Sequence, residues 1–202
     1  MNRFIMLVGL ASAAVIGMHG AAQAAEQVMP TKFFLVTNPT GGPAKRKMVF
    51  KVGQGAPDTV VGNPSLNGAT LEVKLGNGTM QCFHLPAAGW VPILTRGYRF
   101  TDFTGASGVT KLTIKSTGPN GFVLVIHAAQ RRGGTIINVL PQAGTTRFDL
   151  NLALGGGDEY CAGGPTPGGS TNTDTVYNVR AMPAPGACGV AACSPSGAFL
   201  ND

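Results

Sequence analysis

The stretch "ATLEVKLGNGTMQCFHL", residues 69–85, decides the fold. Leu71, Val73 and Leu75 alternate with Glu72 and Lys74, the two-residue period of a strand with one apolar and one polar face. Asn77-Gly78 follows, a pair suited to the positive φ angles of a tight hairpin turn. The return strand runs from Met80 to about His84. A lone hairpin is marginal in water, so its apolar side needs further strands to cover it.

Such strands lie on both sides. Upstream, "TKFFLV" (31–36) fits a first strand, and "KRKMVFKV" (45–52) sets Met48, Phe50 and Val52 on one face. A loop rich in Gly, Pro and Asp fills 53–67. Downstream, Trp90 opens a short apolar run to Leu94, and "YRFTDF" (98–103) and "TKLTIKS" (110–116) fit strands. "FVLVIHA" (122–128) is apolar on both faces, as in a central, covered strand. "TIINVL" (135–140) reads the same way. "TRFDLNLAL" (146–154) alternates strongly, and "DTVYNVRA" (174–181) places Tyr177 and Val179 together. Eight to ten short strands at turn-punctuated spacing, with no helical period, predict an all-β fold. An antiparallel two-sheet sandwich, jelly-roll or Ig-like Greek key, buries all the one-sided faces at once.

The N-terminus is different in kind. "MNRFIMLVGLASAAVIGMHGAAQA" has a basic Arg3, an apolar run and an Ala22-Gln23-Ala24 cleavage motif, so residues 1–24 read as a secretory signal peptide. The run is shorter than the ~20 residues of a membrane span. The expected organisation is signal peptide 1–24, leader with a possible first strand 25–44, sandwich domain 45–182 and a Cys-containing tail 183–202. The expected location is the periplasm or outside, after cleavage near Ala24, and no integral membrane segment is expected.

Export gives the cysteines a meaning. Cys82, Cys161, Cys188 and Cys193 are even in number and read as disulfides. Three pairings are open. Cys188 could bond Cys193 and leave Cys82 with Cys161, or the tail could be pinned through Cys161–Cys188 and Cys82–Cys193. The spacing lacks the paired CxxC units of a zinc site.

Charge excludes little. The chain carries 15 Lys and Arg against 9 Asp and Glu, a formal net charge of +6. Apart from Lys45-Arg46-Lys47 and Arg131-Arg132, the cations are scattered along the chain. A nucleic-acid binder groups basic and aromatic residues, so no nucleic-acid partner is expected. Weak attraction to anionic cell-surface polymers stays open.

Catalytic signatures are absent. "TGASG" (104–108) lacks the spacing of a nucleophile elbow. His84 and His127 each fall near a strand end and could converge only across a sheet. Asp58, Asp102, Asp149, Asp158, Glu159 and Asp174 include no marked pair for glycoside hydrolysis. "GGGDEY" (155–160) looks like a nucleotide-cyclase signature, but an exported strand-rich chain suits a turn better. Asp158 and Glu159 are then solvated turn acids, with Asp158 a weak calcium candidate. No cofactor is expected. Trp90, Tyr98, Tyr160 and Tyr177 are the aromatics available for a sugar-stacking platform, although such rings more often fill cores. Asn77-Gly78-Thr79 matches a glycosylation sequon within a tight turn.

"GATLEV…CFHLPAAGW", "GYRFTD" and "LGGGDEYC" together resemble a Gly-rich secreted β-domain recurrent in exported proteins of myxobacteria and related bacteria. The resemblance covers about residues 45–190. It implies a secreted β-domain and no catalytic residue. The expected role is a binding or structural module of the envelope or extracellular space, with a glycan or other envelope polymer as partner. The alternative is a small secreted glycan-active hydrolase.

Overall fold

In a computed structural model, the described residues are 24–55, 59–119, 121–131, 133–189 and 191–193. Residues 1–23, Asp58 and the end of the tail lie outside them. The strands in chain order are β1 (Glu26–Val28), β2 (Thr31–Thr37), β3 (Lys47–Val52), β4 (Ala69–Leu75), β5 (Met80–Leu85), β6 (Trp90–Pro92), β7 (Gly97–Thr101), β8 (Val109–Gly118), β9 (Gly121–Ala129), β10 (Arg147–Leu154), β11 (Glu159–Pro165), β12 (Thr171–Asn172) and β13 (Val176–Met182). The one α-helical segment among the described residues is the turn Pro64–Asn67. No helix among them is long and apolar enough to cross a membrane.

Two sheets form a sandwich. The small sheet has the order β1-β11-β10-β4-β5, and the large sheet β12-β13-β2-β3-β9-β8-β7-β6. The apolar faces meet between them. Phe34 of the large sheet stacks on Phe148 of the small one at 4.2 Å, with the Tyr177 ring edge-on to both. Phe122 and Tyr160 make a second cross-sheet stack at 5.7 Å. Pairing is antiparallel except at one edge, where β1 runs parallel to β11. β1 then leads into β2 in the opposite sheet.

The 69–85 hairpin forms as expected, but with a longer turn. Gly78 N–H donates to Leu75 O and Leu75 N–H to Thr79 O, enclosing three loop residues. Only Gly78 has positive φ, +89°, so this is a type I turn closed by a Gly bulge rather than a two-residue turn. Asn77 turns inward: its Nδ2 donates to Leu140 O and its Oδ1 accepts from Thr79.

Residues 135–140 are not a strand. Ile137 and Val139 are buried in strand-like alternation, yet no backbone ladder forms. Side chains take its place. Gln81 donates to Ile136 O and accepts from Asn138 N–H, and Arg46 donates to Ile137 O. The alternation reports burial, and burial here occurs beside the sheet edge rather than within it. The strand "EYCAGGP" was hidden by its own glycines, and β1 and β12 are too short to show a period.

The cysteines pair as Cys82–Cys193 and Cys161–Cys188. Register explains the geometry. Cys161, Asn151, Glu72 and Cys82 stand side by side on β11, β10, β4 and β5, on the outer face of the small sheet. Three strand spacings separate the two cysteines, about 14 Å. The five-residue step from Cys188 to Cys193 reaches about 17 Å when extended. The tail therefore straps the sheet. Glu72 is 7% exposed beneath it. Its Oε2 accepts the N–H groups of Ala192 and Cys193 at 2.6 and 2.8 Å.

Asp102, at the end of β7, organises the next loop. Its two oxygens accept the N–H groups of Thr104, Gly105 and Ser107 and the hydroxyls of Thr104 and Ser107. Burial alone would raise its carboxyl pKa. The bonds from Ser107, Thr104 and Gly105 outweigh burial and hold it far below the ordinary value of 3.8.

Two outcomes are expected. Replacing Cys82 and Cys193 by Ser should cost more stability in urea unfolding than replacing Cys161 and Cys188. The sequence separations are 111 and 27, corresponding to about 4–5 against about 3.5 kcal/mol. Asp102→Asn should cost about 2 kcal/mol at neutral pH. Because the folded carboxyl is depressed, its stabilisation is complete above 3.8 and fades as pH falls below it. The Asn variant should lack that part of the acid dependence in a pH series of melts.

Candidate functional site: a cationic sheet face

The outer face of the large sheet gathers what the sequence scatters. Alternation sends the apolar residues of each strand inward and leaves the others outside. Backbone register then aligns them in rows. One row runs Arg180, Phe33, Lys51, Val125, Thr113, Arg99 across β13, β2, β3, β9, β8 and β7. The next runs Asn178, Leu35, Val49, His127, Lys111, Thr101. Lys47 and Lys115 flank these rows, opposite Ala129 and Val123.

Six formal cations thus share one face: Lys47, Lys51, Arg99, Lys111, Lys115 and Arg180. None of the eight strands contains Asp or Glu. The small sheet holds Glu26, Glu72, Asp149 and Glu159. Among the described residues the one ion pair, Arg147–Asp149, lies on that sheet. Between the cations, Phe33, Leu35, Val49, Val123 and Val125 are half-buried. The aliphatic stems of lysine and arginine can cover such surface while their heads stay in water. The Arg180 guanidinium sits 5.5 Å from the centre of the Phe33 ring.

His127 reports the resulting potential. Partial burial lowers its pKa from 6.5, and the charges of Lys51 and Lys111 on the adjacent strands lower it further. The signal for this face lay in "KMVFK" (47–51) and "KLTIK" (111–115). Two lysines four residues apart share a face in a strand. Which strands then lie side by side is a matter of topology, which no local pattern carries.

The other candidates fall elsewhere. Tyr160 and Tyr177 are fully buried and Trp90 nearly so, with its indole N–H on Leu85 O. Burial pushes the Tyr160 hydroxyl up to about 12. Tyr98 packs against the core, partly buried. These four rings are core rather than platform, because their strands direct them into the sandwich. His84 lies on the outer face of the small sheet and His127 on that of the large one, so they do not converge. Ser107 Oγ lies 2.7 Å from Asp102 Oδ2 with no histidine between them.

Asp158 is not a solvated turn acid. It is 5% exposed, and its oxygens face Ala25 N–H and Gln27 Nε2. Donors of this kind suit a carboxylate and oppose a calcium ion, which needs oxygen ligands. Glu159 accepts from Asn151. Glu72, Cys82 and Cys193 come together, but both sulfurs are spent in their own bond. A groove of about 480 Å³ beside the strap is lined by Glu72, Lys74, Arg147 and Asp149. Its charges are mixed, and Arg147 and Asp149 pair with each other.

No protein-family model, curated protein or solved structure matches the chain.

His127 should titrate below 6.5 in an NMR pH series. Lys51→Gln and Lys111→Gln should each move its midpoint upward, since each removes a neighbouring positive charge. A midpoint unmoved by both would show that the lysines impose no field there.

Proposed function

We propose that the chain is exported and acts as a binding module for an acidic polymer of the envelope or extracellular space, an anionic glycan above all. The supporting observation is the segregation of charge: six cations and no acid on the outer face of an eight-stranded sheet. Like charges on neighbouring strands repel, so the bare face costs some stability. A polyanion lying across the strands relieves that repulsion and is drawn in by the summed field. The face is broad and shallow, which suits an extended chain rather than a small molecule. The half-buried apolar residues between the lysines offer contact to the apolar faces of sugar rings.

Export is supported by the N-terminal pattern and by two disulfides, which persist in oxidising compartments. The hydrolase alternative draws no comparable support. Asp102, Asp158 and Glu72 are engaged by backbone N–H groups, and Asp149 by Arg147.

The test is binding of the mature protein to a polyuronate, to a neutral dextran and to duplex DNA. The polyuronate should bind and the dextran should not. Binding should weaken about tenfold or more in the variant Lys51→Gln, Arg99→Gln, Lys111→Gln, and also in about 0.5 M salt, where screening shortens to about 4 Å. Equal binding of dextran, or an unaffected triple variant, would sink the proposal. Preference for DNA over the polyuronate would replace the glycan with nucleic acid.

A further inference from the structure

The carboxylate of Asp158 is an unusual object. It is buried, and among the described residues no Lys, Arg or His forms an ion pair with it. An uncompensated buried charge is costly, and proteins ordinarily pair it. Its two polar contacts come from one segment. Ala25 N–H lies 3.1 Å from Oδ1, and Gln27 Nε2 lies 2.8 Å from Oδ2. The segment is held in register beside it. Glu159 N–H donates to Ala25 O at 3.0 Å, and β1 pairs with β11 from Glu26–Glu159 onward. Ala25 is also the first residue after the Ala22-Gln23-Ala24 motif.

We propose that Asp158 is the receptor for the N-terminus created by signal-peptide cleavage, binding the α-ammonium of Ala25 as its missing counter-ion. Hydrolysis adds one water across the Ala24–Ala25 peptide bond. Ala24 leaves with a carboxylate, and the Ala25 nitrogen becomes an amine that takes up a proton. The neutral amide donor facing Oδ1 is thereby exchanged for a cation at the same place. A charge-assisted hydrogen bond of this kind is about twice as strong as a neutral one. Its effect is to lock β1 onto the edge of the small sheet once the leader is gone. Asp158 N–H meanwhile donates to Val61 O and the Tyr160 hydroxyl accepts from Val61 N–H. The lock therefore also bears on the loop after Thr59.

The inference rests on the export reading, and two measurements separate them. Mass spectrometry of the protein exported from the full chain should give Ala25 as first residue. Any other start removes the ammonium from this site and overturns both the cut and the receptor. With Ala25 confirmed, the mature chain is compared with one that retains Ala24, and each with its Asp158→Asn variant. The free Ala25 terminus should melt about 3 °C above the extended chain. Asp158→Asn should erase that difference. Equal melting of the two termini with Asp158 intact would overturn the proposal while leaving export untouched. That comparison alters no core residue, so it stands even where the Asn variant folds poorly.

Discussion

Phe34 and Phe148 stack across the gap between the sheets, with the Tyr177 ring against both. The rest of the molecule depends on this meeting of two apolar faces. A one-residue slip in any strand would carry its whole apolar set outward, so burial fixes register. Register in turn fixes which residues stand outside, and in what rows. The chemistry of both outer faces is thus a by-product of core packing. Cations align on the large sheet because Phe50, Leu112, Ile114 and Val179 point inward beside them.

The same logic builds the strap. Cys161 and Cys82 face outward because Tyr160 and Phe83, their neighbours in sequence, face inward. Their separation across four strands matches the reach of Cys188 to Cys193. Glu72 lies between the anchors and accepts two strap N–H groups. It looked like an ordinary solvent-side glutamate of an alternating strand, and the pattern placed it on the correct face. What the pattern could not show is that this face is covered.

That distinction separates what was legible from what was not. The strands 47–52, 69–75 and 147–154 follow from local alternation, and 31–37 from its run of apolar residues. Long-range facts do not. Three cysteine pairings were open because the choice depends on sheet order, and the scattered lysines became a patch for the same reason. Residues 135–140 show the converse: an alternating run can be buried against an edge whose side chains, not its backbone, supply the hydrogen bonds. The aromatic candidates went inward because large rings are worth most where two sheets need filling.

"GGGDEY" shows how a motif changes meaning when contacts are known. Gly156 sits at φ +70° in the turn, the angle that Gly alone adopts freely. Its neighbours are glycine for another reason. A Cβ on Gly155 would stand 2.4 Å from the Asn67 Cβ, and one on Gly157 2.2 Å from the Gly62 Cα. Two backbones meet here with no room for side chains. The loop over 59–68 lies directly on the turn, bonded through Gly155, Asp158 and Tyr160. The glycines seat the turn against that loop, and the turn in its place holds the Asp158 carboxylate toward Ala25 N–H and the Gln27 amide.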